Sequence, residues 1–381
     1  MAGHRAPRHR RTTPTDGTGP ARRRSWGPPV PLHTLCPMTR PHLWIRAESR
    51  PTEQRVPIVP ADAARLIADG FTVTVEESPT RIVPVEEYVE VGCSVAPFGS
   101  WVDAPEGAVV VGIKELPEDP SDLQHTHVFF AHAYKGQEGA EEVLERFRRG
   151  GGELLDVEYL TVDGKRVVAF GFWAGYVGAA LSVLRHRGLL DGGVGPMTRE
   201  DLDERLRGST PAEPERALVI GSRGRSGTGA VEALAVAGCA LTRWDRADTL
   251  VLDKPALLDQ DILVNCVVSL GAGEAFVTAE DVDVPRRLRV VGDVTCDVTS
   301  EANKLPVNTQ ITTWDEPVRR FGGDEHPLDV IAIDNLPSLL PRESSETFSA
   351  ELTPLLPDLA DRSGPWAASL EWFRRHVHDA S

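Results

Sequence analysis

Residues 217–229 read Ala-Leu-Val-Ile-Gly-Ser-Arg-Gly-Arg-Ser-Gly-Thr-Gly. The four apolar residues predict a short buried strand, and the glycines predict a tight turn that leads into a helix. Glycines let the backbone approach a pyrophosphate, and the N–H groups of the first helical turn then point at it. The spacing departs from the strict Gly-x-Gly-x-x-Gly pattern, so the turn alone is weak evidence for a dinucleotide site and the neighbouring sequence has to support it. The stretch predicts a dinucleotide site in a parallel α/β fold.

The next predicted strand supplies that support. It ends at Asp245, about 20 residues beyond the turn, where an acid binds the ribose hydroxyls of NAD and repels the 2′-phosphate of NADP. We therefore expect NAD, although Arg243 and Arg246 flank the acid. A tight structural turn followed by a solvated acid is the alternative. Cys266 and Asp293 follow later strands and would line the same crevice, although Cys266 is also typical of a buried thiol.

Two apolar runs in the first half of the chain each end in titratable residues. Val109–Ile113 is followed by Lys114 and Glu115, and Val128–Ala131 is followed by His132. Chemistry in open α/β sheets collects beyond the carboxyl ends of the strands. A lysine and a histidine delivered there by adjacent strands would form an acid/base pair. A solvated lysine and a structural histidine are the alternatives.

An arginine-rich loop precedes these runs. Between residues 46 and 55 the chain holds Arg46, Arg50 and Arg55 together with Glu48 and Glu53. Arginine is suited to bidentate binding of carboxylates, so the loop is a candidate anion site. A surface loop of ion pairs is the alternative.

From Met38 onwards the pattern alternates short strands and helices, which predicts an α/β fold. The polar stretch 192–214 reads as a surface connection, and Pro365–His378 reads as an amphipathic helix that packs back on the first domain. The predicted strands are Leu43–Ile45, Phe71–Val75, Val109–Ile113, His127–Ala131, Val167–Phe170, Ala217–Ile220, Ala240–Trp244, Ile262–Val267, Leu288–Val291 and Val330–Ile333.

The same reading divides the chain into three parts. Residues 1–37 are rich in arginine and proline and lack apolar periodicity, so we expect a disordered tail, or a start of translation at Met38. Residues 38–172 together with 341–381 would form a substrate and catalytic domain. Residues 173–340 would form the NAD-binding domain, with the crossing in the apolar helix Gly175–Arg187.

Composition excludes several classes of function. The formal net charge of -16 over 381 residues argues against general nucleic-acid binding. No apolar run approaches the roughly 20 residues of a membrane helix. The five cysteines are scattered without metal-ligand spacing, which is typical of a reducing, cytoplasmic compartment and predicts no metal site. The expected partner is a small molecule.

Six sequence blocks carry a family resemblance. In chain order the blocks are Trp44–Glu48, Glu53–Arg55 with Val59-Pro60, Gly112–Glu115, Phe130–Lys135, Ala169–Gly175 and Ile333–Glu343. Together they resemble the NAD-dependent, lysine-forming saccharopine dehydrogenases of lysine metabolism, which are related to alanine dehydrogenase and to the nicotinamide-binding part of transhydrogenase.

The resemblance implies two doubly wound, Rossmann-like domains with a cleft between them. It implies oxidation of saccharopine by NAD and water to L-lysine, 2-oxoglutarate and NADH, or the reverse condensation. Lys114 would be the base for the substrate amine, and His132 the acid/base for imine hydrolysis. The implied substrate-binding residues are Arg50, Glu53, Arg55, Lys135, Glu115 and Glu158. The implied cofactor-binding residues are Gly221, Gly224, Arg225, Ser226, Gly227, Asp245, Arg166, Cys266, Asp293, Asp334, Asn335 and Leu336.

The chain also departs from the family pattern. Arg50 stands where well-known members have lysine, and Asn335 replaces a histidine. Ser226 replaces a cysteine, so no disulfide to Cys266 can form. Two alternatives remain open: a related amino-acid or opine dehydrogenase resembling alanine dehydrogenase, or a nucleotide-binding protein without chemistry.

Overall fold

The order of the parallel strands decides where this fold places a site. A computed structural model describes residues 40–136, 139–267 and 274–378, and the tail predicted at 1–37 lies outside these ranges. The first sheet has the order β3-β2-β1-β4-β5-β6, with every pair parallel. Its strands are β1 His42–Ile45, β2 Thr72–Glu76, β3 Ser94–Ala96, β4 Val109–Val111, β5 Thr126–Phe129 and β6 Glu153–Asp156.

The second sheet has the order β10-β9-β11-β12-β14-β13. It is parallel except for the edge strand β13, which is antiparallel to β14. Its strands are β9 Arg216–Ile220, β10 Ala240–Trp244, β11 Ile262–Asn265, β12 Val290–Asp293, β13 Arg319–Phe321 and β14 Leu328–Ile331. A hairpin of β7 Thr161–Val162 and β8 Lys165–Arg166 follows the first sheet.

Helices cover the sheets and connect them. The longest, α4 Gly171–His186, is buried along most of its length because small residues let neighbouring elements approach closely. The helices are α1 Pro60–Ala68, α2 Val85–Glu90, α3 Ala140–Gly150, α4 Gly171–His186, α5 Arg199–Gly208, α6 Arg225–Val236, α7 Lys254–Leu258, α8 Pro341–Leu352 and α9 Pro365–His378. None of the described helices is long and apolar enough to cross a membrane.

The predicted α/β fold with two doubly wound sheets is confirmed. In the first sheet the strand order reverses between β1 and β4, and in the second it reverses between β9 and β11. Such switch points leave a crevice beyond the carboxyl ends of the strands. Lys114 follows β4 and Gly221 follows β9, so each sheet places a predicted functional segment at its switch point.

One apolar core joins the first sheet to the C-terminal part of the chain. Residues 43–168 share a buried cluster with residues 348–373, in which Trp366 is fully buried. The helix α9 lies against β6, where the Ser369 hydroxyl donates a hydrogen bond of 2.9 Å to the carbonyl of Asp156. This contact places α9 against the strand that precedes Glu158.

Two predicted elements were wrong. Residues 167–170 are not a strand, because the peptide N–H of Ala169 donates to the Glu351 carboxylate at 3.0 Å instead of to a neighbouring strand. The stretch 192–214 is not only a surface connection, since it contains α5, which buries Leu202 and Leu206. The many charges of α5 conceal this apolar pair in the sequence. Every other predicted strand overlaps an observed one, whereas β3, β6, β7, β8 and β13 were not predicted.

We expect that replacing His127 by phenylalanine stabilises the fold. His127 on β5 is fully buried among aromatic rings, and within the described part of the chain neither ring nitrogen has a hydrogen-bond partner. Burial and the nearby Arg46 hold its pKa well below 6.5. An unpaired buried polar group destabilises by about 1–3 kcal/mol, so His127→Phe should gain about 1 kcal/mol at pH 7 in urea unfolding.

The sign of the pH dependence follows from proton linkage. Below pH 6.5 the unfolded chain binds a proton that folded His127 rejects, so the wild type loses stability as the pH falls, and the variant does not. The difference between the two proteins should therefore widen from pH 7 to pH 5. His125 is the matched control, because its Nε2 already bonds to the Ala104 carbonyl at 2.9 Å, and His125→Phe should not stabilise. A difference for His127→Phe that is independent of pH would contradict the interpretation.

Candidate active site

The backbone of Lys114 is fixed by two buried residues that follow β1. The Glu48 carboxylate accepts hydrogen bonds from the peptide N–H groups of Ile113 at 2.7 Å and Lys114 at 3.0 Å. The guanidinium of Arg46 donates to the carbonyl of Lys114 and pairs with Glu48 at 3.4 Å. The Arg46 side chain can lie this close to the backbone because residue 112 is glycine: a Cβ on Gly112 would lie 2.4 Å from Nε of Arg46. Arg46 and Glu48 therefore position Lys114, a role that the sequence interpretation missed although both residues stand in the first family block.

The surroundings of Lys114 favour its neutral form. Burial lowers the pKa of its ammonium group and the Arg55 guanidinium lowers it further, whereas Glu115, Asp334 and Glu53 oppose the shift. A lysine with a depressed pKa can accept a proton near neutral pH. Asp334 belongs to the second half of the chain, so its influence places Lys114 close to the segment that follows β14.

Arg55 and Glu53 form a buried ion pair. Nε and one terminal nitrogen of Arg55 donate to the two Glu53 oxygens at 2.8 and 2.6 Å, and the guanidinium lies over the Phe170 ring at 4.1 Å from its centroid. Arg55 also donates to the side-chain oxygen of Asn335 at 3.0 Å, and the Ser338 hydroxyl donates to Glu53 at 3.4 Å. The Asn335 block is thus joined to the anion loop.

The charge state of Glu53 follows from this pair. Burial raises the pKa of its carboxyl, but Arg55 outweighs burial and holds the pKa below its usual value. The third arginine of the loop, Arg50, differs, because it forms an exposed ion pair of 2.9 Å with Glu115.

Three basic side chains contact the Glu158 carboxylate. Its carboxylate lies 3.3 Å from Nδ1 of His132 and accepts hydrogen bonds from Lys135 at 2.6 Å and Arg166 at 2.7 Å. The bond to His132 is the largest cause that lowers the pKa of Glu158, which falls to about 2. A carboxylate on Nδ1 orients the imidazole and leaves Nε2 with its lone pair to accept a proton.

Neighbouring backbone hydrogen bonds bring the two predicted acid/base residues to one edge of the sheet. The peptide N–H of Phe130 donates to the Ile113 carbonyl at 3.0 Å, which places the segment carrying His132 beside the segment carrying Lys114. The His132 ring stacks on Phe130 with centroids 6.2 Å apart. Both residues therefore follow adjacent parallel strands, as the sequence analysis expected.

The glycine turn after β9 has the close packing that a dinucleotide site requires. Gly221 has a φ of +83°, and a Cβ on Gly227 would lie 2.0 Å from the Gly221 carbonyl. The helix α6 therefore begins directly against the strand, with Gly224 at its N-cap. These positions accept no side chain, which leaves the backbone of the turn accessible to a pyrophosphate.

Asp245 lies beside this turn at the end of β10. Its carboxylate accepts hydrogen bonds from the Ser222 hydroxyl at 3.0 Å and from the peptide N–H of Arg223 at 3.1 Å. It also pairs at 2.9 Å with the side chain of Arg223, which is 89% exposed. Arg223 lies within residues 217–229 but was absent from the predicted site, and its side chain adds an exposed cation beside Asp245.

Arg225 and Arg166 connect the glycine turn with the Glu158 cluster. The Arg225 guanidinium donates to the carbonyls of Ala169 and Arg166, each at 3.2 Å, and to Glu351 at 3.0 Å. The side chain of Arg225 is therefore directed towards residues 166–169, and Arg166 itself binds Glu158. Through these two arginines the start of α6 lies next to the residues that surround His132.

The remaining predicted cofactor residues lie around the second switch point. Burial raises the pKa of the Cys266 thiol to about 12, so this thiol is unreactive near neutral pH. Asp293 is buried and accepts hydrogen bonds from Thr295 at 2.7 Å and Asn265 at 3.2 Å. Leu336 and Ser226 pack against α4. A Cβ on Gly178 would lie 3.2 Å from the Leu336 side chain, and a Cβ on Gly171 would lie 3.2 Å from the Ser226 side chain. Among the residues described, no group of three or more potential ligands could hold a metal ion.

Comparison with known proteins connects the chain to one enzyme family. Residues 44–177 match the family described as alanine dehydrogenase/PNT, N-terminal domain. A saccharopine dehydrogenase [NAD(+), L-lysine-forming] of Emericella nidulans is 42% identical over 88% of this chain and 97% of its own. The enzyme of the same name from Schizosaccharomyces pombe is 42% identical over 85% of this chain and 94% of its own. The chain belongs to the family of NAD(+)-dependent, L-lysine-forming saccharopine dehydrogenases.

Solved structures show that this saccharopine dehydrogenase family member shares its fold with more distant proteins. An L-alanine dehydrogenase matches with a TM-score of 0.64 and 19% identity over 87% of this chain and 93% of its own. A transhydrogenase from Sinorhizobium meliloti matches with a TM-score of 0.60 and 18% identity over 84% of this chain and 95% of its own. The family resemblance drawn from the six sequence blocks is confirmed.

Proposed function

We propose that this protein is an NAD-dependent oxidoreductase that oxidises saccharopine to L-lysine and 2-oxoglutarate, or catalyses the reverse condensation. The observation that carries the proposal is that Lys114 and the glycine turn follow strands at the switch points of two sheets, with His132 after the adjacent strand β5, in a chain of this family. An alanine dehydrogenase-like reaction is the competing function. It is less favoured, because the similarity to alanine dehydrogenase over the whole chain is a similarity of fold at 19% sequence identity, whereas the saccharopine dehydrogenase of Emericella nidulans is 42% identical.

The residues around the glycine turn fit NAD. The turn has no side chain at Gly221 or Gly227 to obstruct a pyrophosphate, and the Asp245 carboxylate at its edge suits a ribose diol. When bound, NAD would accept the hydride that leaves the substrate carbon. Arg223 is placed to contact the same ribose or its phosphate.

The side chains then divide the proton chemistry between them. Lys114, whose pKa is depressed by burial and Arg55, would accept the proton of the secondary amine. His132, oriented by Glu158, would accept a proton from the water that adds to the imine carbon and return it to the leaving amine. Lys135, Arg166 and Arg50 supply the positive charge that a tricarboxylate substrate needs at the rim, while Arg55 lies deeper with Glu53.

The purified full chain provides the test. NADH consumption should be rapid with lysine plus 2-oxoglutarate and at least 100-fold slower with pyruvate plus ammonia at equal concentrations, because one missing charged contact already corresponds to roughly ten- to hundredfold. NADH formation from saccharopine gives the forward rate. Faster turnover with pyruvate plus ammonia would reject the proposal in favour of the alanine dehydrogenase-like reaction. The absence of turnover with both pairs would favour a nucleotide-binding protein without chemistry.

Asp245→Ala is expected to change cofactor preference. The variant loses the acceptor for the ribose hydroxyls and releases Arg223, which can then bind a 2′-phosphate. We expect the KM for NAD to rise about 10–100-fold, as for loss of a charged hydrogen bond, and discrimination against NADP to relax. Steady-state kinetics with both dinucleotides measure the effect.

The double variant Asp245→Ala/Arg223→Ala is the matched control for this change. It should weaken NAD binding to a similar extent but gain little with NADP, because the exposed guanidinium is absent. An unchanged ratio of kcat/KM for NAD and NADP in Asp245→Ala would move the ribose site away from β10.

A further inference from the structure

Residues 166–170 lie between two groups of side chains that are candidates for binding the substrate. On one side, the Arg166 side chain donates to the Glu158 carboxylate at 2.7 Å. On the other side, the Arg55 guanidinium lies over the Phe170 ring, with its Cζ 4.1 Å from the ring centroid. The position of this short segment therefore affects both groups at once.

The backbone of Ala169 is held by two side chains from distant parts of the chain. The Glu351 carboxylate, in the last turn of α8, accepts a hydrogen bond from the peptide N–H of Ala169 at 3.0 Å. The Arg225 guanidinium donates to the carbonyls of Ala169 and Arg166, each at 3.2 Å. Arg225 also donates to the Glu351 carboxylate at 3.0 Å, so Arg225, Glu351 and Ala169 each contact the other two.

Arg225 stands at the glycine turn, but its side chain serves this segment. It is the first residue of α6 and directly follows the N-cap Gly224, which is why the sequence predicts a cofactor-binding role. An arginine that binds a phosphate offers its terminal nitrogens as a fork. Within the described part of the chain, both terminal nitrogens of Arg225 already donate to acceptors on residues 166, 169 and 351.

The start of α6 is a firm base for such a contact. A Cβ on Gly175 would lie 1.7 Å from the carbonyl oxygen of Ser226, and a Cβ on Gly229 would lie 1.9 Å from the carbonyl oxygen of Phe172. The helices α4 and α6 therefore pack backbone against backbone beside the turn, where neither can shift without the other. Arg225 extends this contact to the residues that precede α4.

We propose that Arg225 is a positioning residue for the substrate site: together with Glu351 it fixes residues 166–170 from the cofactor turn, and it does not bind the dinucleotide. Its planar fork holds acceptors on both terminal nitrogens, whereas a lysine ammonium in its place would be a single point charge. The effect of Arg225 on turnover rests on the reaction proposed above. Its effects on NADH binding and on the segment do not.

Arg225→Ala tests this assignment through two separate readouts. These are the Kd for NADH from a fluorescence titration, and kcat/KM for 2-oxoglutarate from NADH consumption with lysine. We expect kcat/KM to fall about 10–100-fold, because misplacing binding groups by about 1 Å has effects of this size. The Kd for NADH should change less than about threefold, since a charge that does not contact the ligand is screened by salt.

Arg225→Lys separates geometry from charge. The variant keeps the positive charge beside the turn but loses the fork, so kcat/KM for 2-oxoglutarate should fall nearly as far as in Arg225→Ala. An arginine that attracts the pyrophosphate by its charge would instead be largely replaced by lysine. If Arg225→Ala does not fold, this variant decides: a low kcat/KM with wild-type NADH binding supports the proposal, and wild-type values of both overturn it.

Hydrogen–deuterium exchange of the peptide that covers residues 166–170 follows the segment without turnover. Exchange should be faster in Arg225→Ala and in Glu351→Ala than in the wild type, because contacts to the Ala169 backbone are lost. Glu351→Gln keeps an oxygen acceptor for the Ala169 N–H and should exchange more slowly than Glu351→Ala. Wild-type exchange in both alanine variants would overturn the proposal.

Arg199→Ala is the matched control for the loss of an arginine that pairs across helices. The Arg199 side chain is 36% exposed, against 34% for Arg225, and it also forms an ion pair on α6, with Glu232. Its guanidinium lies over the Tyr176 ring, 5.0 Å from the centroid. Arg199→Ala should change neither the Kd for NADH, nor kcat/KM for 2-oxoglutarate, nor the exchange of residues 166–170.

Two results with Arg225→Ala would contradict the proposal. A Kd for NADH raised about tenfold or more, and restored in Arg225→Lys, would assign Arg225 to the pyrophosphate, because a lost charged hydrogen bond has this effect. A wild-type kcat/KM for 2-oxoglutarate would remove the positioning role. A wild type without turnover on either substrate pair would reject the proposed function, while the NADH titration and the hydrogen exchange would still test Arg225.

Discussion

Lys114→Met is expected to lower kcat by about 10²–10⁴-fold, the range that general acid–base catalysis contributes. Methionine keeps the length and the apolar stem of lysine but cannot accept the amine proton. NADH binding should persist, because the glycine turn and Asp245 belong to the second sheet. Steady-state kinetics and a fluorescence titration with NADH measure the two effects separately.

The pH dependence of kcat/KM provides a second test of Lys114 as the base. A base must be deprotonated to act, so kcat/KM should rise with pH through the lowered pKa of Lys114, and this rise should disappear in Lys114→Met. Lys165→Met is the matched control, since Lys165 is exposed on β8 and should leave kcat unchanged. A kcat within about threefold of the wild type in Lys114→Met would assign the base to another group, because a general base contributes far more than that.

Arg55→Ala is expected to destabilise the protein by about 3–5 kcal/mol, the range for breaking a buried ion pair from one side. Arg55 and Glu53 are 2% and 1% exposed, and the substitution leaves the Glu53 carboxylate buried without its cation. It also removes the hydrogen bond to Asn335. Urea unfolding at pH 7 measures the loss of free energy.

Proton linkage distinguishes this pair from an ordinary contact. In the wild type the pKa of Glu53 is lowered, so the stability it contributes is present above the unfolded value near 4.5 and is lost as the pH falls through the folded value. Without Arg55, burial dominates and raises that pKa, so Arg55→Ala should recover stability relative to the wild type between pH 7 and pH 5. Arg65→Ala is the control, because Arg65 is 73% exposed in its pair with Asp62 and should lose under about 1 kcal/mol. A loss for Arg55→Ala as small as that of the control would show that the pair adds little stability.

Local patterns predicted most elements of the fold. Apolar runs such as Val109–Val111 are fully buried, and continuous β-branched runs of this kind are typical of parallel strands covered on both faces. The failures have a common cause. The strand expected at 167–170 and the surface connection expected at 192–214 were read from composition, whereas Glu351 and the buried face of α5 determine those segments through distant contacts.

The candidate site was predicted in part. Lys114, His132 and the glycine turn follow strands, so their common edge can be anticipated from chain order alone. The sequence did not indicate that Arg225 is directed towards residues 166–169, that Arg55 is neutralised by Glu53, or that Arg46 and Glu48 fix Lys114. The contacts of Arg225 and of Glu48 join segments far apart in the chain. Arg55 and Glu53 are only two residues apart, but the loop also offers Arg46, Arg50 and Glu48, and charge alone does not identify the partner.

The sequence by itself determined the strand–turn–helix units, their parallel arrangement and the family, because these depend on local periodicity and on motifs of fixed spacing. Only the tertiary structure decided which charges neutralise one another. The bonds of Glu158 to Lys135 and His132, at 2.6 and 3.3 Å, and the bond of Arg55 to Asn335, at 3.0 Å, depend on how segments that are distant in the chain are placed in space. The same placement sets the pKa of Lys114, and hence whether a lysine at the end of a strand can act as a base.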